Sequence, residues 1–224
     1  MYSILFIGNS YTYFNTPPAI FKEIANSAGI DVSVAAVTQG GWTLEKHADI
    51  NDVYGCSTDA VLKGKKFDFV ILQEQSVRPA LEFKKFREAV KKLLVKIKEN
   101  GAKPCLYATW GRKEGSTVLG DNGWTNKSMT EKLSAAYDSV GNEFGIPVAH
   151  VGNAFYEFNT KATGMDLYTS DLSHPSKYGS FLAALTIFAT VFDKDPINVP
   201  YNYIFTEEEA AVLKNAAKNK EFIK

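Results

Sequence analysis

Short apolar runs rich in β-branched residues alternate with longer amphipathic stretches along most of the chain. Runs of the first kind predict strands, whereas apolar residues that recur every three or four positions predict helices. The predicted strands cover residues 3–7, 32–37, 67–72, 104–109 and 147–151, and the predicted helices cover residues 18–28, 77–100, 128–144, 177–192 and 207–218. This alternation is typical of a parallel sheet with helices on both faces. We therefore expect an α/β fold with a five-stranded, mostly parallel sheet.

The clearest helical pattern lies in residues 77–100, where apolar side chains recur at helical spacing and lysines occupy much of the remaining surface. That distribution indicates one buried face and one solvated face. Residues 111–125 and 51–66 are predicted to be irregular, the second with room for a short helix. No repeat, low-complexity tract or linker interrupts the pattern, so residues 1–224 are expected to form a single domain.

Composition narrows the expected partners and compartment. Lys and Arg number 25, as do Asp and Glu, which argues against a nucleic-acid partner. No apolar run approaches the roughly 18 residues of a membrane span. The first predicted strand leaves no room for a signal peptide, so we expect a cytoplasmic protein or an exported one without its signal. Of the two cysteines, Cys56 and Cys105, the second falls in a predicted strand, and no disulfide is expected. The oligomeric state is left open.

Two segments carry the candidate chemistry. Gly8-Asn9-Ser10 follows the first strand, so that a serine hydroxyl would emerge at the carboxyl edge of the sheet, where open α/β sheets bind ligands. Late in the chain, Asp171 and His174 stand three residues apart. Each segment alone is more typical of a turn and a helix cap. Their combination on an α/β chain favours a catalytic site.

A serine hydroxyl is a weak nucleophile until a base takes its proton, and the base works best when a third group orients it. Ser10 is the candidate nucleophile. His174 is the candidate base, because a free imidazole titrates near neutrality. Asp171 would orient the imidazole and stabilise its charged form. Their order along the chain is no obstacle, since triads occur in several unrelated orders.

An acyl-transfer site also needs hydrogen-bond donors where negative charge develops on the substrate oxygen. The backbone N–H of Ser10 is one candidate donor. The paired glycines Gly40 and Gly41, after the second strand, offer another, although such a pair is also typical of an ordinary turn. The third strand ends in Gln-Glu-Gln-Ser at residues 73–76, and a side-chain amide there is the third candidate.

These segments resemble the sequence blocks of the SGNH-hydrolase superfamily, the GDSL-like esterases and acylhydrolases. Gly8-Asn9-Ser10 resembles the first block, with Asn9 where the commoner version has Asp. Gly41 matches the oxyanion-hole glycine of the second block, and Asp171-x-x-His174 matches the fifth. The resemblance implies a flavodoxin-like three-layer α/β/α sandwich that uses no cofactor and no metal.

The third block departs from the superfamily's usual Gly-x-Asn-Asp. Its Gln-Glu-Gln-Ser is similar to the Gln-Gly-Glu of carbohydrate acetylesterases, in which the glutamine serves the oxyanion. By that comparison Gln73 is the first choice for the third donor and Gln75 the second. The combination of blocks also resembles a poorly characterised bacterial subfamily.

Other polar and aromatic residues fall near the predicted carboxyl edge of the sheet. The candidate pocket residues are Asn9, Tyr11, Trp42, His47, Gln75, Trp110 and Tyr168. For at least half of the four aromatic residues packing is the preferred interpretation, and a surface or cap position fits His47 equally well. Arg112 could meet an acidic group of the substrate, but a solvated loop arginine is the preferred interpretation. Glu74 is expected to anchor neighbouring loops, and His150 is expected to be structural.

The leading hypothesis is a serine esterase that removes short acyl groups, acetyl above all, from a carbohydrate. Its partner would be a small-molecule or saccharide ester. A lipase, a thioesterase or an acyltransferase would use the same residues. In the alternative class, a non-catalytic module would hold an anion on backbone amides near Ser10, or a degenerate esterase would only bind carbohydrate.

Overall fold

A computed structural model describes residues 1–161 and 164–218, and it is built around one parallel sheet. The strands are β1 (Tyr2–Gly8), β2 (Val32–Thr38), β3 (Phe69–Leu72), β4 (Lys103–Ala108) and β5 (Val148–His150). They lie in the order β2-β1-β3-β4-β5, and every neighbouring pair is parallel. The register places Gly8 beside Thr38 and Ile7 beside Leu72. The residues that follow the first three strands therefore meet at one edge of the sheet.

Helices cover most of the remaining chain. They are α1 (Ser10–Tyr13), α2 (Pro17–Ser27), α3 (Leu44–Ala48), α4 (Val53–Gly64), α5 (Arg78–Leu81), α6 (Phe83–Asn100), α7 (Thr117–Asn122), α8 (Asn126–Phe144), α9 (Val151–Asn159), α10 (Lys177–Phe192) and α11 (Glu207–Ala217).

Three segments differ from the predicted elements. The helix predicted over residues 77–100 is interrupted at Glu82, whose backbone is not helical, and becomes α5 and α6. Residues 51–66, predicted to be irregular with room for a short helix, contain the 12-residue α4, which Asp52 caps by accepting hydrogen bonds from two backbone N–H groups. The loop predicted over residues 111–125 contains α7, and α9 starts where β5 ends.

The core has two halves, one on each face of the sheet, because successive strand side chains point to opposite sides. Along β1, Ile4 and Phe6 pack on one half while Leu5 and Ile7 pack on the other. The first half includes side chains from α2, α9, α10 and α11, and the second includes side chains from α3, α4, α6 and α8. The expected three-layer α/β/α arrangement is confirmed.

In the described residues, no helix combines the length and the apolar character that a membrane crossing requires. Cys105 is buried and Cys56 is exposed, and both are unpaired.

Candidate active site

The turn after β1 brings Ser10 to the carboxyl edge of the sheet. Gly8 ends the strand at a point where a Cβ atom would lie 2.5 Å from the Thr12 hydroxyl oxygen and 2.6 Å from Gln73 Oε1. No side chain larger than hydrogen fits there without displacing these groups. Ser10 follows two residues later, as the first residue of α1, and is partly exposed.

Asn9 connects this turn to two other loops. Its side-chain oxygen accepts from the backbone N–H of Tyr11 at 3.1 Å and so caps α1. Its own backbone N–H donates to Gln73 Oε1 at 2.9 Å, and its side-chain amide donates to the carbonyl of Trp42 at 3.0 Å. Asn9 was expected to line the pocket. Instead it is buried, with 3% of its surface exposed, and it holds the loops around Ser10 in place.

A chain of hydrogen bonds joins Ser10, His174 and Asp171. Asp171 Oδ2 lies 2.5 Å from His174 Nδ1, and His174 Nε2 lies 2.8 Å from Ser10 Oγ. An ionised carboxylate can only accept, so the imidazole carries its proton on Nδ1. Nε2 is then left to accept the proton of the Ser10 hydroxyl. The distances and directions are those that proton transfer from serine to histidine requires.

The Asp171–His174 turn is organised by the carboxylate itself. Asp171 Oδ1 accepts from the backbone N–H groups of Ser173 and His174, each at 2.9 Å, and from the Thr169 hydroxyl at 2.7 Å. Leu172 closes the turn with a φ of 61°, in the left-handed region. Partial desolvation would raise the pKa of Asp171, but the hydrogen bonds from His174, Thr169 and the backbone outweigh it and hold the pKa well below its ordinary value.

Aromatic side chains fix the position of the His174 ring. Phe14, just after α1, stacks on the imidazole with ring centroids 4.6 Å apart, and Tyr11 meets it edge-on at 5.5 Å. Trp110 Nε1 donates to the carbonyl of Ser173 at 3.0 Å. Phe14 was missing from the predicted site, because its contact with His174 spans 160 residues of sequence and leaves no local signal.

The loop after β2 packs beside the start of α1. A Cβ on Gly40 would lie 3.0 Å from the Tyr13 hydroxyl, and the next-but-one residue, Trp42, is held by Asn9. Gly41 lies between them with a φ of 70°, a backbone conformation that favours glycine, and it is exposed. This arrangement puts the Gly41 backbone at the same edge of the sheet as Ser10.

Gln73 departs from its expected role as an oxyanion donor. Its side chain is 1% exposed, and its oxygen accepts from Asn9 N at 2.9 Å and from the Thr12 hydroxyl at 2.8 Å. Its amide nitrogen donates to the carbonyl of Glu74. The side chain therefore serves the turn that carries Ser10 and does not present its amide to a ligand.

Gln75 is oriented differently. Its side-chain oxygen accepts from the backbone N–H groups of Val77 at 3.0 Å and Arg78 at 3.2 Å. Because an amide is planar, its nitrogen then points away from these donors. Among the described residues that nitrogen has only a long contact, 3.4 Å, to the Ser76 hydroxyl, and Gln75 is partly exposed.

Glu74 anchors the neighbouring loops, as its position suggested. Its Oε1 accepts from the backbone N–H of Leu44, at the start of α3, at 3.0 Å and from that of Gln75 at 2.6 Å. Its Oε2 is buried and has no hydrogen-bond partner among the described residues. Burial raises the pKa of Glu74 to about 7.

Four of the aromatic and histidine pocket candidates are buried, which agrees with the packing interpretation for the aromatic residues. His47 is enclosed between the Thr58 hydroxyl, at 3.0 Å, and the Gly8 carbonyl, at 2.9 Å, and burial lowers its pKa. Tyr11, Trp110 and Tyr168 are at most 4% exposed. The polar atom of each of these side chains bonds to another group of the protein, so each side chain holds a loop in place and does not face the substrate. Trp42 remains partly exposed.

Arg112 is held by hydrogen bonds and is not a freely solvated loop residue. Nη1 donates to the Tyr11 hydroxyl, and Nη2 donates to the Ser76 hydroxyl at 2.7 Å. The Tyr11 hydroxyl lies 3.0 Å from Ser173 Oγ. Arg112 is thus connected by hydrogen bonds to the residues that follow Ser10 and Gln75, and through Tyr11 to the residue that precedes His174. His150, by contrast, pairs with Ser134 and Asp138 on α8, in keeping with a structural role.

Histidine, cysteine and carboxylate side chains do not gather into a metal-binding group of three or more anywhere in the described part of the chain.

Comparison with known proteins places the chain. No protein-family model matches it, and no curated protein does. A Slackia heliotrinireducens protein classed as an SGNH hydrolase is 30% identical, with a TM-score of 0.73 over 85% of this chain and 98% of that one. A DUF4886 family protein from Bacteroides uniformis is 18% identical, with a TM-score of 0.83 over 97% and 93%. The acetyl xylan esterase AlAXEase is 16% identical, with a TM-score of 0.61 over 84% and 98%.

The identity to the first protein is high enough to assign the family, whereas the other two proteins share the fold. The chain belongs to the SGNH hydrolase superfamily.

Proposed function

We propose that the protein is a serine esterase that hydrolyses short-chain acyl esters, acetyl esters above all, with Ser10, His174 and Asp171 as its catalytic triad. The observation that carries the proposal is the unbroken hydrogen-bond chain from Asp171 Oδ2 through both ring nitrogens of His174 to Ser10 Oγ. Membership of a hydrolase superfamily agrees with it.

In the first half of the reaction, Ser10 Oγ attacks the ester carbonyl carbon while His174 Nε2 takes the hydroxyl proton. Asp171 stabilises the imidazolium that forms, and its low pKa keeps it ionised for that purpose. The tetrahedral intermediate collapses when His174 returns the proton to the leaving alcohol oxygen. The acyl group is then bonded to Ser10.

In the second half, a water molecule replaces the alcohol. His174 takes a proton from the water molecule while the water oxygen attacks the acyl-enzyme carbonyl. The imidazolium then gives that proton to Ser10 Oγ. The carboxylic acid leaves and the hydroxyl of Ser10 is restored.

The developing oxyanion needs donors aimed at one point. We assign these to the backbone N–H of Ser10, the backbone N–H of Gly41 and the side-chain amide of Gln75. The N–H of Ser10 stands in the first turn of a helix, where backbone donors have no intrahelical acceptor. Gln75 replaces Gln73 in this assignment, because the amide of Gln73 is bonded to the Glu74 carbonyl.

Two exposed aromatic residues at the end of the short helix that Ser10 begins support a saccharide as the alcohol component. Tyr13 is 43% exposed and Phe14 is 37% exposed. Aromatic faces of this kind pack on the apolar faces of sugar rings. The fold shared with an acetyl xylan esterase points to the same substrate class.

Hydrolysis of p-nitrophenyl acetate, butyrate and octanoate by the wild type and by Ser10→Ala tests the proposal. We expect turnover that falls with chain length and that drops at least ~10³-fold in the variant, because the nucleophile is lost. A fluorophosphonate probe should label the wild type and not Ser10→Ala. Ser57→Ala, which removes an exposed hydroxyl from α4, is the matched control and should behave like the wild type.

A folded wild-type protein that neither labels nor hydrolyses any of the three esters would contradict the proposal. It would favour the non-catalytic binding module.

A further inference from the structure

The protein has three arginines, and the ion pairs of the described residues separate them clearly. Arg78 pairs with Glu45 and Glu82, and Arg87 pairs with Glu88 and Glu143. For Arg112, no carboxylate of the described residues lies within 4.0 Å. Its positive charge is therefore not compensated by an ion pair within that part of the protein.

The guanidinium of Arg112 is nevertheless fixed in place. It uses one Nη1 donor on the Tyr11 hydroxyl and one Nη2 donor on the Ser76 hydroxyl, and its Cζ lies 5.5 Å from the centre of the Tyr11 ring. The backbone of Arg112 is held by α8, where Asn126 donates to its carbonyl at 2.8 Å. A guanidinium has five N–H donors, so these contacts leave others available. The buried Nε has no partner among the described residues.

This fixed cation stands at the proposed active site. Tyr11 follows Ser10 directly and Ser76 follows Gln75, so each hydrogen bond of the guanidinium ends on a residue next to a proposed catalytic group. The Tyr11 hydroxyl in turn lies 3.0 Å from Ser173, the residue before His174. Arg112 is partly exposed, whereas Tyr11 and Ser76, whose hydroxyls it bonds, are 3% and 4% exposed.

We propose that Arg112 makes this site select esters that carry a carboxylate group, a specificity that rests on the proposed esterase function. A positioned guanidinium with spare donors binds a carboxylate through two parallel hydrogen bonds, and such charge-assisted bonds are the strong ones. One uncompensated positive charge matches a single carboxylate better than a phosphate dianion. The neighbouring Lys113 adds no free charge, because it pairs with Asp166.

The carboxylate could belong to the alcohol half of the ester, as in an acylated sugar acid, or to the acyl half. Two matched pairs of esters separate these sources. The first pair is 4-acetoxybenzoate and its neutral methyl ester. The second pair is mono-4-nitrophenyl succinate and neutral 4-nitrophenyl butyrate.

The measurement is the ratio of kcat/KM for the anionic ester to kcat/KM for the neutral one. We expect the wild type to favour the anionic member of one pair, and Arg112→Gln to lower that ratio about 10- to 100-fold. Arg112→Lys should fall between them, because a lysine keeps the charge and loses the paired donors. Lys113→Gln, which removes an adjacent cation, is the control and should keep the wild-type ratio.

A purely structural role of Arg112 would slow anionic and neutral esters equally, so an unchanged ratio in Arg112→Gln overturns the proposal. So does a wild type that prefers the neutral ester in both pairs.

If the wild type hydrolyses no ester, the proposed esterase function is wrong. The role of Arg112 in carboxylate recognition is then tested by ligand binding alone. Calorimetric titration of 4-acetoxybenzoate and mono-4-nitrophenyl succinate would then compare Ser10→Ala with Ser10→Ala/Arg112→Gln. Binding of either probe that is lost with Arg112 supports the proposal. Equal binding in both variants, or binding in neither, overturns it.

Discussion

The Asp171–His174 turn and the 73–76 segment both bring polar groups to the site, yet they are built in opposite ways. In the turn, the carboxylate of Asp171 bonds to residues at most three positions away, and the side chains of Asp171 and His174 are 48% and 26% exposed. In the segment, Gln73 and Glu74 are at most 1% exposed and bond to residues 30 to 64 positions away.

The difference indicates which residues of the site can be changed with an effect on catalysis alone and which would also lower the free energy of unfolding. A partly exposed carboxylate that bonds its own neighbours in the chain can be replaced at little cost to the fold. Gln73 and Glu74 are buried and bond to other loops and elements. Replacing either one leaves a buried donor or acceptor unpaired, which lowers the stability of the fold. Three sets of variants test this contrast.

The largest effect is expected for Asp171→Asn. The asparagine oxygen can still accept the backbone N–H groups of the turn, but its amide cannot accept the Nδ1 proton of His174, so the wrong imidazole tautomer is favoured. We expect kcat to fall about 10³- to 10⁴-fold on p-nitrophenyl acetate. The melting temperature should change little.

Thr169→Val is the matched control, because it removes the third hydrogen bond to Asp171 Oδ1 and a longer one to the His174 carbonyl but leaves the carboxylate in place. Less than a tenfold loss in Asp171→Asn, or a loss no larger than in Thr169→Val, would mean that the turn is not the base-orienting element.

The next effect concerns the pH dependence of stability and arises in the buried segment. Burial raises the pKa of Glu74 from an ordinary 4.5 to about 7, so the folded protein binds this proton more tightly than the unfolded chain does. The stabilisation is fully present below pH 4.5 and is lost as the pH rises through 7. The free energy of unfolding should fall by on the order of 3 kcal/mol over that interval.

Glu74→Gln cannot ionise and should flatten this dependence in urea unfolding measured at pH 5 and pH 8. Glu88→Gln, on an exposed carboxylate, should retain it. A wild-type slope that survives in Glu74→Gln would show that another group is responsible.

The smallest effects separate Gln75 from Gln73 within the same segment. Gln75→Ala should lower kcat about 10²-fold, as the loss of one oxyanion donor does. Gln73→Ala should lower the free energy of unfolding by about 1–3 kcal/mol, because the backbone N–H of Asn9 and the Thr12 hydroxyl lose a buried acceptor. Denaturation and steady-state kinetics on both variants measure these quantities. The reverse pattern would restore Gln73 as the donor.

The same contrast explains how much of the molecule could be predicted from its sequence. The five strands, the layering and the family follow from local patterns: apolar runs, helical spacing, and the short motifs around Ser10 and His174. The break at Glu82 was missed, and α4 was predicted as no more than a short helix in an irregular segment, because propensity along the chain does not decide such boundaries.

The pocket residues were the least predictable part of the site. Sequence places Trp110, Tyr168 and His47 near the carboxyl edge of the sheet but does not say which way each side chain turns. That choice depends on partners far along the chain, such as the carbonyl of Gly8 for His47. Gln73 and Gln75 differ for the same reason, although they are two residues apart and chemically identical.

The stacking of Trp110 has a consequence of another kind. Its ring lies flat between those of Phe155, at 4.1 Å, and Tyr11, at 4.5 Å, while its indole N–H holds the carbonyl of Ser173. Of the protein's three tryptophans it alone is fully buried, since Trp42 and Trp124 are partly exposed. A movement of Ser173, the residue before His174, should therefore change the emission of this buried tryptophan. The intrinsic tryptophan fluorescence of the protein can report on the position of the proposed catalytic histidine without an attached dye.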